Sequence, residues 1–162
     1  MSTDEPIAFF ISWTVYGTFL QGDSRWWHKR TRGEQKPQPL LEQWHRDRLN
    51  HSVILLTGAH REAVESAIQE HCDHRVWRNW SSNARSNHIH VVVTAGGYSG
   101  RTVRDQLKAN ATRKLRQVSP EFKDRPVWSV GGDWKCIHTE GGLEQAIRYV
   151  QEAQDRKHRD KP

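Results

Sequence analysis

Residues 86–94 read SNHIHVVVT. A β-branched run that follows polar turn formers is a strand signature. Side chains alternate faces along a strand, so His88 and His90 share one face while Ile89, Val91 and Val93 share the other. The aliphatic face predicts a core side. The opposite face carries two imidazoles about 6–7 Å apart at Cα, a spacing at which both can ligate one divalent ion. Two histidines leave a coordination shell incomplete, so a metal here needs a third protein ligand. An isolated H-x-H also fits plain surface histidines on a half-exposed strand. The doubled H-x-T/S pattern of two-histidine phosphoesterases is missing, because His28 in HKRT has the wrong spacing.

Working outward, RVWRNWSSNARSNHIHVVVTA (75–95) predicts two strands joined by a turn or bulge near Asn83–Asn87. IAFFISWTVYG (7–17) is an apolar, aromatic strand that ends in glycine, and SVILLTG (52–58) predicts another short strand. Residues 59–74 place Ala63, Val64, Ala67, Ile68 and Cys72 at helical spacing. LLEQWHRDRLNH (40–51) predicts a short amphipathic helix with Leu40, Leu41, Trp44 and Leu49 on its apolar side. A helix over 99–119, a short strand, glycine turn and strand over 125–139, and a helix over 140–160 complete the order. From residue 52 onward this is strand, helix, two strands, helix, strand, helix. With the N-terminal strand it predicts an α+β fold: a ferredoxin-like antiparallel sheet with helices packed on one face. The 162 residues are read as a single domain, with a long basic loop over 18–39 and a flexible tail over 157–162.

The formal net charge of +6 predicts a polyanionic partner, nucleic acid above all. Eight tryptophans and clear apolar runs argue against disorder despite 35% hydrophobic content. Cys72 and Cys136 are far apart and form no C-x-x-C, which excludes a disulfide scaffold and fits reduced thiols. MSTDEPIAFF has no basic n-region, and no segment approaches the roughly 20 apolar residues that span a bilayer. A cytoplasmic protein without membrane partners is expected.

The helix over 99–119 carries Arg101, Arg104, Lys108, Arg113 and Lys114, with Asp105 as its lone acid, opposite a stripe of Val103, Leu107, Ala111 and Leu115. A solvated face is the ordinary meaning of such a pattern. Its single sign favours contacts with DNA phosphates. Trp26 and Trp27, among Arg25, Lys29, Arg30 and Arg32, are candidates for stacking on unpaired bases or for covering a sheet edge. On the 140–160 helix, Leu143, Ala146, Ile147 and Val150 form the apolar stripe. Tyr149 lies beside it, at the border of the core or facing a cleft.

SNHIHVVV, the basic helix and AIRYVQEAQ together resemble the single-tyrosine HUH transposases, close to the REP-associated tyrosine transposases. In HUH, two histidines flank a bulky hydrophobic residue. SWTVYGTFLQGD (12–23) and RPVWSVGG (125–132) add to the resemblance, which runs from about Ile7 to Arg156. It implies a ferredoxin-like fold and a metal-dependent nickase and strand transferase acting on single-stranded or hairpin DNA, as monomer or homodimer. It implies that His88, His90 and a polar residue of the tyrosine helix hold Mg²⁺ or Mn²⁺, and that Tyr149 is the nucleophile that forms a 5′-phosphotyrosine. The family commonly carries Gln or Asn four residues after the tyrosine. Ala153 stands there in this chain and Gln154 follows, so the third ligand is Gln154 or, closer in angle to Tyr149 on the helix, Glu152. That departure leaves two other expectations open: a domesticated nucleic-acid-binding protein that lost the chemistry, and a metal-dependent nuclease that uses water in place of tyrosine.

Overall fold

The computed structural model describes residues 5–18, 27–29, 33–35 and 38–152, with backbone alone for 27–29 and 33–35. Strand β1 (Ala8–Thr14) is followed by a short antiparallel pair, β2 (Trp27–Lys29) and β3 (Gly33–Gln35), within the segment expected to be loop. Then come α1 (Pro39–Asp47), α2 (Gly58–Arg75), β4 (Arg78–Ala84), β5 (His88–Thr94), α3 (Gly100–Val118), β6 (Asp133–Ile137) and α4 (Glu140–Glu152). The main sheet is antiparallel in the order β4-β5-β1-β6. The elements β1-α2-β4-β5-α3-β6 in that order are a ferredoxin-like α+β fold, as expected.

Alternation within β1 explains the layering. Phe9, Ile11, Trp13 and Val15 face one way and meet Ile89, Val91 and Val93 of β5. Helix α2 adds Val64, Ile68 and Cys72 to this main core, and α3 adds Val103, Leu107, Ala111 and Leu115. Thr57 caps α2 in a reciprocal capping box with His60, and Ser99 caps α3 by accepting from the Thr102 N–H. Burial pushes the Cys72 thiol up to about 12, with Asp73 adding to the effect.

The expectation of helices on one face holds for α2 and α3. Helix α4 instead lies on the other face, where Val150, Leu143, Ala146 and Ile147 pack on Ala8, Phe10, Val92 and Ile137. One further expectation is corrected. Residues 52–57 form no strand: the Leu56 N–H donates to Ser86 O (2.8 Å), and Thr57 already serves as the α2 cap. Helix α1 buries no residue, with Leu40 and Trp44 exposed and the Arg48 guanidinium 3.6 Å above the Trp44 ring. The expected short helix is thus present over Pro39–Asp47, and it adds no residue to the core.

Gly100, at the start of α3, is where the helix meets β6: a Cβ there would overlap the Trp134 side chain near its root. Gly100→Ala should cost about 1–3 kcal/mol by overpacking, seen as a lowered urea midpoint. A midpoint equal to wild type would mean that this contact is slack.

Candidate functional site

The sheet face under α4 is set by cross-strand pairing, because directly opposed residues share a face. His88 pairs with Thr14, and His90 pairs with Ser12 on one side and Asn83 on the other. The two histidine rings lie 4.6 Å apart between centroids and meet edge to face. Helix α4 brings Tyr149 to the same place. The rings of Phe10, His90 and Tyr149 form a triangle with centroid separations of 5.5 Å (Phe10–His90), 5.7 Å (Phe10–Tyr149) and 5.7 Å (His90–Tyr149). Tyr149 keeps 37% of its surface exposed, while its neighbour Val150 is fully buried. The helix is thus anchored through Val150 and offers Tyr149 to the cleft edge.

Two asparagines stand at either end of the β4–β5 turn. Asn87, 1% exposed, places Oδ1 2.6 Å from Nδ1 of His88. An amide oxygen only accepts, so the ring donates and the lone pair of the neutral imidazole resides on Nε2. Asn83 donates from Nδ2 to the Val150 carbonyl (3.1 Å), one residue after Tyr149.

The donor set fits one divalent ion in part. Two adjacent imidazoles, one with its lone pair on Nε2, could supply two ligands to such an ion. Among the described residues no cluster of three His, Cys, Asp or Glu gathers, so completion falls to a ligand of another type or outside those residues. Gln154 lies outside them. Glu152 is exposed at the end of α4.

The basic helix has a different setting. Its apolar stripe is buried in the main core, so α3 lies on the sheet face opposite the histidines and Tyr149. Arg104 is buried and donates to Gly132 O (2.9 Å) and to Asp105 Oδ1 (3.0 Å), its guanidinium 5.3 Å from the Trp134 ring. The ammonium of Lys108 donates to Ser129 O (3.0 Å) and Gly131 O (2.6 Å). Burial lowers the Lys108 pKa, and the neighbouring Arg104 lowers it further. These two charges satisfy carbonyls of the 129–132 turn, a use the one-signed pattern did not reveal. Lys114 pairs with Glu70 of α2 (3.1 Å), Arg113 donates to Asn110 Oδ1 (2.7 Å), and Arg101 is exposed. Trp26 lies outside the described residues, and of Trp27 only the β2 backbone is described.

Sequence reasoning missed Phe10, Asn83 and Asn87. The alternation of FFISWT could have put Phe10 beside Ser12 and Thr14, and Asn87 adjoins His88 in the chain. Asn83 required the β4–β5 register.

No protein-family model matches the chain, and no curated protein matches it in sequence. Solved structures that share its fold include a candidate transposase from Deinococcus radiodurans R1, with a TM-score of 0.51 at 9% identity over 90% of this chain and 89% of that one. A REP-associated tyrosine transposase bound to a REP hairpin gives a TM-score of 0.50 at 11% identity over 93% of this chain and 67% of that one. The chain has the fold of these transposases, and the likeness read from its motifs is matched by a likeness in architecture. Among the described residues no helix is long and apolar enough to cross a membrane.

Two outcomes test this arrangement. Replacing both His88 and His90 by alanine should remove Mn²⁺ binding in calorimetry while the far-UV spectrum stays native; unchanged affinity would exclude the pair as ligands. Lys108→Ala should lower stability by about 1.5–3 kcal/mol, the range for hydrogen bonds that involve a charged group, while the salt dependence of DNA binding stays that of wild type. A flattened salt slope at unchanged stability would return Lys108 to the DNA interface.

Proposed function

We propose that this protein is a metal-dependent single-stranded DNA nickase and strand transferase of the single-tyrosine transposase type, acting through a 5′-phosphotyrosine intermediate. The observation that carries the reading is the meeting of His88 and His90 with Tyr149, which reaches the histidine face from a separate helix. The fold shared with transposases, one of them bound to a REP hairpin, supports single-stranded or hairpin DNA as substrate.

His88 and His90, with Gln154 or Glu152, would hold Mg²⁺ or Mn²⁺. When bound, the ion supplies charge neutralisation and orientation of the scissile phosphate. The chain's own residues do the rest. Phe10 and His90 flank the Tyr149 ring and limit its excursions, which keeps the hydroxyl near one position. The Tyr149 oxygen attacks phosphorus and a phosphotyrosine ester forms. The bond from phosphorus to the 3′-oxygen breaks, that oxygen takes up a proton to become a 3′-OH, and the phenol proton leaves to solvent. The ester retains the energy of the phosphodiester, so a 3′-OH can reverse the step and join strands. The net charge of +6 draws DNA to the surface. On α3, Arg101, Arg113 and Lys114 remain candidates for backbone contacts by a substrate long enough to pass the sheet edge.

Incubation with hairpin oligonucleotides and Mn²⁺, followed by a denaturing gel, should reveal a covalent protein–DNA adduct. Tyr149→Phe keeps the ring and deletes the nucleophile. It should fold and bind DNA as wild type does, form no adduct, and lose cleavage by roughly 10³-fold or more. The other two tyrosines are engaged elsewhere: the Tyr16 hydroxyl accepts from the Asn50 N–H (3.1 Å), and Tyr98 packs on Trp77. An adduct on the phenylalanine variant would reject Tyr149. Cleavage by wild type without an adduct would favour a water-dependent nuclease, and DNA binding without cleavage the domesticated binding protein.

A further inference from the structure

We infer that Asn83 and Asn87 are positioning residues that brace the two halves of the site independently, Asn87 the histidine half and Asn83 the tyrosine half. The inference rests on the reading of His88, His90 and Tyr149 given above and assigns the parts that hold them.

Asn87 is itself rigidly held. Its carbonyl accepts from the Val15 N–H (2.9 Å) and from the Thr18 hydroxyl (3.3 Å), which ties the turn to the end of β1. Its side-chain oxygen therefore meets Nδ1 of His88 from a fixed point. The contact selects one tautomer and restricts rotation of the ring, so the ligating nitrogen is set before an ion arrives. Without the amide, the ring must lose both the wrong tautomer and a rotational freedom on binding, and affinity falls.

Asn83 acts on a different element. It stands opposite His90 in the sheet and donates across to the Val150 carbonyl. The Val150 side chain is buried against Val92, so this residue is pinned both by packing and by its carbonyl. Two anchors on one residue fix the rotation of α4 about its axis. Successive residues are about 100° apart around a helix, so a modest roll would carry the Tyr149 hydroxyl away from His90. The amide N–H is the active part here, whereas the amide oxygen is the active part in Asn87.

That difference gives the test. Mn²⁺ alone is titrated into each variant by calorimetry, and adduct formation on a hairpin oligonucleotide is followed in single turnover at saturating Mn²⁺. Asn87→Ala should weaken Mn²⁺ by about 10–100-fold. Asn87→Asp, which keeps an accepting oxygen and the shape, should restore it, and this variant decides the matter if the alanine variant does not fold. Asn83→Ala and Asn83→Leu, the second matched in shape but without the donor, should both bind Mn²⁺ within about twofold of wild type and form adduct roughly 10–100-fold more slowly. In the metal-free wild type, ¹⁵N spectra should show His88 protonated at Nδ1, and ring–ring Overhauser contacts between Tyr149 and Phe10 should fade in Asn83→Leu. An Nε2-protonated His88, or weakened Mn²⁺ in Asn87→Asp, overturns the role of Asn87. Native Tyr149–Phe10 contacts in Asn83→Leu overturn that of Asn83. These spectra need no catalysis, so a wild type that forms no adduct would sink the transferase reading and leave both roles decided separately.

Discussion

Everything in this molecule depends on the register of β1 against β5. The pairing of Ser12 with His90 and Thr14 with His88 sends Phe9, Ile11, Trp13, Ile89, Val91 and Val93 into one core and leaves the histidines on the other face. Strand side chains have a period of two, so a slip of β5 by one residue would move Ile89, Val91 and Val93 out of the main core and turn both imidazoles into it. Burial of Ile89, Val91 and Val93 is worth about 1.5–3 kcal/mol each, far more than the face exchange could recover. The strongest term in the fold thus also decides where the two histidines sit.

The two faces are unequal. One carries two long helices over a large core with Trp13, Phe122 and seven or more branched aliphatics fully buried. The other carries α4 over Ala8, Val92, Ile137 and Val150, a much smaller buried set. The tyrosine helix therefore has the lesser apolar hold on the sheet, and local opening is easiest where few apolar contacts are buried. Directional contacts gain importance there: the three-ring triangle and the Asn83 bond to the Val150 carbonyl limit how the helix rolls.

Positive charge in the sequence has two uses that composition does not separate. Arg104 and Lys108 fold back onto the protein and donate to the carbonyls of Ser129, Gly131 and Gly132. Hydrogen bonds that involve a charged group contribute about 1.5–3 kcal/mol, which ties this turn to α3. Arg101 on the same helix stays in solvent. Helical periodicity locates a face but not its neighbours, and the neighbour of this face is a turn 21 to 28 residues further along the chain.

The sequence by itself determined most of the helices and main-sheet strands and the faces on which their side chains lie. Alternation in HIHVVV assigned both histidines to one face, and the Leu143–Val150 stripe put Tyr149 beside the buried edge of a helix. Both follow from backbone geometry, which repeats at fixed periods whatever the rest of the chain does. Only the tertiary structure decided what those faces meet. It put α4 on the face opposite α2 and α3, left 52–57 without a strand partner, and turned Arg104 and Lys108 inward. It also brought Phe10, Asn83 and Val150 around His90 and Tyr149. These are contacts between residues distant in sequence. Their partners are chosen by strand register and by the packing of the whole core, and no short window of sequence encodes either.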